Sequence, residues 1–235
     1  MILSYEKQFL FIHVGKTAGT NVARALEPYA HRPEVTTPAK WLDKIGIHVN
    51  YLGPHRWRRF RIHATAATAK RHLPTHVWDG LFKFAFVRNP YARLLSQYHF
   101  MLREMRHHHH ETVTRLGSFD AYVAWEHRRD KRTQSSALLD RDGRCLVDFV
   151  GRFETLSSDF AHVCERISVD ATLPAEERPP KPFADAFANP ETRRLADELI
   201  GRDAEVFGYD LDGPLSTTEE LNAVLKATAP TSAVA

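Results

Sequence analysis

The sequence contains only two cysteines in 235 residues, Cys145 and Cys164. Two cysteines are too few to build a disulfide framework, and their separation does not match the spacing of metal ligands. We therefore expect both side chains to be buried free thiols.

Long apolar stretches are also missing. No segment approaches the roughly 18 consecutive apolar residues that a membrane-spanning helix needs. The first residues, MILSYEKQFLF, lack the basic region and long apolar core of a signal peptide. We therefore expect a soluble, cytoplasmic protein without a membrane span.

The chain has no large net charge, because 32 basic and 29 acidic residues give a formal charge of +3. The basic residues are nevertheless clustered in residues 55–61, 103–110 and 128–132. Such clusters predict locally positive surfaces, which suit an anionic ligand or substrate. The first cluster, HRWRRFR, would line a cleft for an anionic acceptor or contact nucleic acid if it is functional. Runs of this kind are more often solvated surface.

The composition, 43% hydrophobic and 26% charged, is that of an ordinary globular protein. The length fits one domain of α/β size, which we place at residues 1–212. Residues 173–182 contain four prolines and are predicted to form an internal loop. Residues 213–235 are polar and rich in small side chains, and we expect them to be a flexible tail.

Two strand-turn-helix units dominate the pattern. Phe9–Val14 is a short apolar run that predicts a buried strand, followed by a helix over Asn21–Glu27. Leu81–Val87 is a nearly continuous apolar run typical of a central parallel strand, and Pro90 fits the first turn of a long following helix. A third strand is predicted at Cys145–Gly151. These units predict an α/β fold with a central parallel sheet flanked by helices.

Further helices are predicted from capping residues and helix breakers. Thr65 and Ser118 suit N-cap positions, and Asn189 followed by Pro190 suits a cap and a first-turn proline. The predicted helices are Trp41–Ile45, Thr65–His72, Phe119–Trp125, Ser157–Ile167 and Glu191–Phe207.

The segment GKTAGT, which follows the first strand, has the chemistry of an anion-binding loop. Lys16 offers a point charge, and Gly19 lets the backbone approach an oxygen without a side chain in the way. The N–H groups of Thr17–Thr20 would lie at the start of a helix, where unpaired donors favour anions, and the threonine hydroxyls could add donors. The common nucleotide motif GxxxxGK[ST] is absent, which argues against an ordinary ATPase loop. The alternative is a plain strand-to-helix connection.

Arg88 follows the second strand as Lys16 follows the first. Parallel neighbouring strands end at the same edge of a sheet, where open α/β folds bind ligands. We therefore expect Lys16 and Arg88 at one edge, with Ser96 about two helical turns further on and within reach. A ligand that carries phosphate at two separated points would be held by both residues.

Four stretches carry a resemblance to a known family. They are HVGKTAGTN at 13–21, FAFVRNPYARLLSQY at 84–98, VDFVGRFETLSSDF at 147–160 and RDAEVFGYDL at 202–211. The first resembles the 5′-phosphosulfate loop, and the second the 3′-phosphate motif, of sulfotransferases that use 3′-phosphoadenosine 5′-phosphosulfate (PAPS). The order and spacing of all four resemble the carbohydrate sulfotransferase branch in particular.

The resemblance implies a P-loop-like three-layer fold and transfer of a sulfuryl group from PAPS, without a metal, to a hydroxyl or amine. The acceptor would be a carbohydrate or another hydroxylated small molecule. Lys16 would stabilise charge on the leaving oxygen, and Arg88 and Ser96 would hold the 3′-phosphate. Gly15 replaces the usual proline and Asn21 the usual serine, so no hydroxyl is available at position 21. The residues implied to bind the co-substrate are Lys16, Thr17, Ala18, Gly19, Thr20, Asn21, Arg88 and Ser96.

An acceptor hydroxyl also needs a base, and histidine titrates in the right range. The resemblance favours His63, because in similar sequences a histidine before the helix that precedes the FVRNP strand lies near the sulfuryl group. A capping or packed role is the alternative for His63, and His55 and then Glu154 are the next candidates for the base. Arg93 could contact the ligand or form an ion pair. The histidines at 107–110 could bind a metal, but a solvated helix end or loop is favoured because adjacent helical positions diverge.

Two other function classes stay open from the sequence. One is a nucleotide kinase or hydrolase on a similar fold, against which the missing GxxxxGK[ST] motif argues. The other is a non-enzymatic anion or RNA binder, which steeply salt-dependent RNA binding independent of Lys16 would favour. We favour the PAPS-dependent sulfotransferase and expect no nucleic-acid partner.

Overall fold

The computed structural model describes residues 1–31, 60–129, 133–174 and 183–227. These residues contain a mixed four-stranded sheet in the order β1-β2-β3-β4. β1 pairs antiparallel with β2, whereas β2, β3 and β4 are parallel. The predicted parallel pairing of the first two apolar runs is therefore confirmed, and an antiparallel strand is added at the edge. The strands are β1 Ile2–Ser4, β2 Phe9–Ile12, β3 Phe82–Val87 and β4 Phe149–Arg152.

Several helices begin at the capping residues that the sequence predicts. Thr65, Ser118 and Asn189 each accept a hydrogen bond from a backbone N–H in the first turn, as predicted. No helix in the described part of the chain is both long enough and apolar enough to cross a membrane. The helices are α1 Gly19–Leu26, α2 Ala66–His72, α3 Thr75–Gly80, α4 Pro90–Arg103, α5 His110–Leu116, α6 Phe119–His127, α7 Gln134–Leu138, α8 Leu156–Arg166, α9 Pro190–Phe207 and α10 Thr218–Ala227.

The two central strands are buried on both faces, which explains their unbroken apolar sequences. One face is phenylalanine-rich, with Phe11 and Phe84 stacked 5.4 Å apart, and packs against α1 and α8. The other face carries Leu10, Ile12 and Val87 and packs against α2 and α10. The sheet therefore lies between two layers of helices. The predicted helix at Trp41–Ile45 lies outside the described residues.

The end of the chain corrects one prediction. Residues 218–227, expected within a flexible tail, form α10, whose Leu221 and Leu225 are buried. The Asn222 side chain accepts a hydrogen bond from the Val150 N–H at 2.8 Å and donates one to the Val150 carbonyl at 2.9 Å. These bonds satisfy backbone groups of the edge strand β4. Because Asn222 and Val150 are far apart in sequence, the composition of residues 213–235 could not predict this contact.

Candidate active site

The carboxyl ends of the three parallel strands bring the predicted anion-binding residues to one edge of the sheet. β2 leads into the loop with Lys16, β3 leads into Arg88, and β4 leads into Phe153. Ile12 and Ala85 are paired in register, so the residues that follow these strands start from adjacent positions. This is the edge at which open α/β sheets bind ligands.

The loop after β2 has an unusual backbone. Lys16 and Ala18 adopt left-handed conformations, with φ of 69° and 58°, although neither is glycine. Left-handed residues alternating with ordinary ones turn successive N–H groups toward one concavity, which is how backbone nests bind anions. No N–H group of Lys16–Thr20 has a hydrogen-bond partner in the described parts of the chain. The loop therefore retains its donors for a ligand.

Thr17 does not use its hydroxyl as predicted. The side chain is fully buried, and its Oγ1 donates a hydrogen bond to the Val14 carbonyl at 3.0 Å. The hydroxyl therefore stabilises the turn of the loop, and only the backbone N–H of Thr17 is left for an anion. Thr20, by contrast, is exposed at the start of α1.

Gly19 has a packing role that the sequence did not reveal. A Cβ atom at this position would lie 2.1 Å from Cδ2 of His13, well inside van der Waals contact. The His13 ring is buried and stacks on Phe11, so it has little room to move. Burial is also the main cause that lowers the pKa of His13 to about 3. The glycine therefore lets α1 begin directly against a neutral imidazole.

Lys16 lies within a group of cations. Its Nζ is 4.3 Å from the centre of the Phe100 ring. The pKa of Lys16 is lowered from 10.5 to about 8, mainly by burial and then by the positive charges of Arg103, Arg88 and Arg93, in that order. No described carboxylate is among the charges that act on this lysine. Four cationic side chains grouped at this edge favour a polyanionic ligand.

Arg88 is held by a residue that sequence reasoning missed. The backbone N–H of Arg88 donates to Oε1 of Gln134 at 2.9 Å, and Nε2 of Gln134 donates to the Arg88 carbonyl at 2.8 Å. Asp203 in turn accepts hydrogen bonds from the N–H groups of Gln134 and Ser135, both at 2.8 Å. The Arg88 guanidinium lies 4.2 Å from the ring centre of Phe153. The backbone of Arg88 is therefore fixed from outside its own strand.

Glu154 holds the ends of two strands together. Its carboxylate accepts a hydrogen bond from the Asn89 N–H and another from the Tyr209 hydroxyl, both at 2.8 Å. The Asn89 side chain also donates to the Asp210 carbonyl at 2.7 Å. These contacts join three of the four sequence motifs. Both Glu154 oxygens are already hydrogen-bonded, so this carboxylate has a positioning role and we do not assign it as the base.

One face of α4 lies over the loop after β2. The Nε of Arg93 donates to the Gly15 carbonyl at 2.9 Å, and Phe100 contacts Lys16. Ser96 is half-buried, three residues after Arg93 and four before Phe100, and residues at these spacings share a helix face. Ser96 therefore lies on the side of α4 that faces the loop. The Nε of Arg93 thus binds the loop backbone, which is a third role beside the ligand contact and the ion pair considered from the sequence.

His63 lies next to the start of the loop. Its Nδ1 is 3.1 Å from the His13 carbonyl, and the two rings meet edge to face at 4.7 Å. A carbonyl only accepts, so Nδ1 carries the hydrogen and the lone pair of the neutral ring is on Nε2. A Cβ on Gly15 would be 3.8 Å from the His63 ring, which places this ring beside the loop. The other histidine candidate, His55, lies outside the described residues.

Two cavities differ in their relation to this edge. The larger one, about 1070 Å³, includes Lys83 and Asp148 and lies at the opposite end of the strands. The smaller one, about 540 Å³, is lined in part by His63, whose ring lies beside the loop after β2. It is lined by Arg61, Ile62, His63, Ala64, Thr68, Arg71 and His72.

The run of four histidines forms a turn that leads into α5. Nδ1 of His110 is 3.0 Å from the Met101 carbonyl, and His109 contacts Arg129 through its Nε2. Burial lowers the pKa of both His107 and His109. Within the described ranges, no three His, Cys, Asp or Glu side chains are grouped so that they could hold a metal ion.

The described residues form an α/β protein with a candidate anion-binding site at the carboxyl ends of its parallel strands. A family model described as the sulfotransferase family matches residues 1–210. Because this match covers most of the chain, the chain belongs to the sulfotransferase family. It is therefore a transferase that needs a sulfuryl donor and an acceptor substrate. No curated protein and no solved structure matches it.

Proposed function

We propose that this sulfotransferase takes its sulfuryl group from PAPS and transfers it to a hydroxyl or amine of a carbohydrate. The observation that carries the proposal is the placement of Lys16 and Arg88 after adjacent parallel strands, within one group of cations. Two separated positive points at one edge suit a nucleotide with phosphate at both its 3′ and 5′ positions. The strand, loop and helix of this edge also support a P-loop-like fold for residues 1–212.

In this proposal, the loop binds the 5′ end of the nucleotide. Lys16 and the backbone N–H groups of Thr17, Ala18, Gly19 and Thr20 surround the 5′-phosphosulfate. The N–H of Asn21 donates to the Ala18 carbonyl at 2.9 Å, so Asn21 would contribute only through its side chain. Arg88 binds the 3′-phosphate through its planar fork, and Ser96 adds a hydroxyl from the facing side of α4. A cytoplasmic location remains a prediction.

The reaction in this proposal depends on positioning and on charge. The acceptor oxygen attacks sulfur, the bond from sulfur to the 5′-phosphate oxygen breaks, and 3′,5′-bisphosphoadenosine leaves. Lys16 stabilises the negative charge that develops on the leaving oxygen. His63 takes the acceptor proton on Nε2, because its Nδ1–H is held by the His13 carbonyl.

Transfer from radiolabelled PAPS to a panel of desulfated glycans tests the assignment. We expect Lys16→Ala to lower the rate by at least about 100-fold, with an unchanged circular dichroism spectrum. His63→Ala is expected to lose transfer but retain binding of bisphosphoadenosine, while the exposed His76→Ala serves as the matched control. Wild-type turnover in the Lys16 variant would contradict the assignment.

A further inference from the structure

Arg103 stands in the last turn of α4, outside the four stretches that resemble the family. It follows Phe100 by three residues, so the two share a helix face. The Phe100 ring contacts the Lys16 ammonium at 4.3 Å. The helix geometry therefore places Arg103 at the loop after β2, next to the proposed leaving-group site.

The charges agree with this placement. Among the positive groups that lower the Lys16 pKa, Arg103 has the largest effect, ahead of Arg88 and Arg93. Two cations placed side by side repel each other unless an anion lies between them. The pair formed by Lys16 and Arg103 therefore suits an anionic ligand that extends from one side chain to the other.

The direction of α4 indicates which anionic group of the ligand would lie next to Arg103. The helix starts beside Arg88, and Lys16 lies over its last turn. Arg103 is about 4.5 Å further along the axis than Phe100, on the side away from Arg88. With the 3′-phosphate at Arg88 and the 5′-phosphate at Lys16, the position next to Arg103 belongs to the sulfuryl group.

We propose that Arg103 binds the sulfuryl group of PAPS during transfer. This inference rests on the proposed function, because it takes PAPS as the donor. The guanidinium donates to the non-bridging oxygens while sulfur exchanges its bond to the phosphate oxygen for one to the acceptor oxygen. The acceptor proton goes to His63, bisphosphoadenosine leaves, and Arg103 stays protonated throughout.

Calorimetric titration with PAPS and with bisphosphoadenosine, without an acceptor, tests this role. The two ligands differ only in the sulfuryl group. Arg103→Ala is expected to weaken PAPS binding by about 10-fold or more, since one charge-assisted hydrogen bond is lost. Binding of bisphosphoadenosine is expected to stay within about twofold, because neither phosphate contact changes. Arg103→Lys should recover only part of the loss, because it keeps the charge without the fork.

Arg106 provides the matched control. It is also exposed, three residues further on, and is not among the charges that act on Lys16. Arg106→Ala is expected to bind both ligands as the wild type does. Unchanged PAPS binding in Arg103→Ala, or equal losses for both ligands, would overturn the sulfuryl contact. Failure of the wild type to bind either ligand would overturn the proposed function itself. Because the wild type is titrated first, this outcome is distinguished from a failure of the Arg103 proposal alone.

Discussion

The Nε of Arg93 donates a hydrogen bond of 2.9 Å to the carbonyl oxygen of Gly15. Arg93 is on the helix that follows β3, and Gly15 is in the loop that follows β2, so this bond fixes the two halves of the site relative to each other. Burial lowers the pKa of Arg93, while the negative charges of Asp203 and Glu126 oppose that shift. The arginine is thus a buried link between the loop and the α4 helix.

Replacing Arg93 tests this link. We expect Arg93→Met to weaken binding of bisphosphoadenosine and of 5′-AMP by similar factors, because the loop loses its support and no 3′-phosphate contact is removed. The free energy of unfolding should fall by about 2 kcal/mol, the cost of a lost hydrogen bond to a charged group. Calorimetry and urea denaturation measure the two effects, with Arg106→Met as the control. A much larger loss for bisphosphoadenosine than for AMP would instead make Arg93 a 3′-phosphate ligand.

The contact between Gly19 and His13 predicts a stability effect. Gly19→Ala places a Cβ atom against the His13 ring and should lower the free energy of unfolding by about 2 kcal/mol. In a His13→Ala background the same change should cost clearly less, because the ring is gone. Urea denaturation of the four proteins in this cycle measures the coupling. An equal cost in both backgrounds would show that the ring is not the obstacle.

Gln134, which is remote from Arg88 in sequence but bonded to its backbone, is predicted to keep Arg88 in position. Gln134→Ala removes both partners of the Arg88 backbone, so the free energy of unfolding should fall by about 2 kcal/mol. Bisphosphoadenosine should also bind more weakly, because Arg88 is then less well positioned. Ser136→Ala, on the exposed side of the same short helix, controls for general effects on α7. Unchanged affinity in the Gln134 variant would mean that Arg88 is positioned without it.

Lys16 should make nucleotide binding depend on proton uptake. With a pKa of about 8, this lysine is largely neutral in the free protein at about pH 9. A polyanion favours the charged form and raises the pKa, so binding at that pH should take up close to one proton. Titrations in two buffers with different ionisation enthalpies measure the uptake. Lys16→Arg, which stays charged, should take up markedly less, and equal uptake would place the titrating group elsewhere.

Local signals predicted much of the fold. The apolar runs of β2 and β3 identified two central strands, and Thr65, Ser118 and Asn189 marked helix starts because a cap depends on nearby residues. Short elements were missed, including the three-residue β1, α3 and α7. Such segments are too short for a clear period, and they are stabilised by contacts with the rest of the protein.

From the sequence, candidate site residues could be recognised only where a charged side chain comes soon after the end of a predicted strand. Lys16 and Arg88 stand out because each comes directly after an apolar run. Their supports do not: Gln134 lies 46 positions from Arg88, and Asp203 lies 69 positions from Gln134. The hydrogen bond from the Thr17 hydroxyl to the Val14 carbonyl likewise depends on the conformation of the loop, which residue spacing does not predict.

In our proposal, this edge of the sheet binds a nucleotide phosphorylated at both the 3′ and 5′ positions. The most direct measurement is calorimetric binding of bisphosphoadenosine, ADP and AMP to the wild type and to Arg88→Ala. We predict that the wild type binds bisphosphoadenosine at least about 10-fold more tightly than AMP or ADP, and that Arg88→Ala removes most of this difference. Tighter binding of ADP, or equal losses for bisphosphoadenosine and AMP in the variant, would contradict the claim.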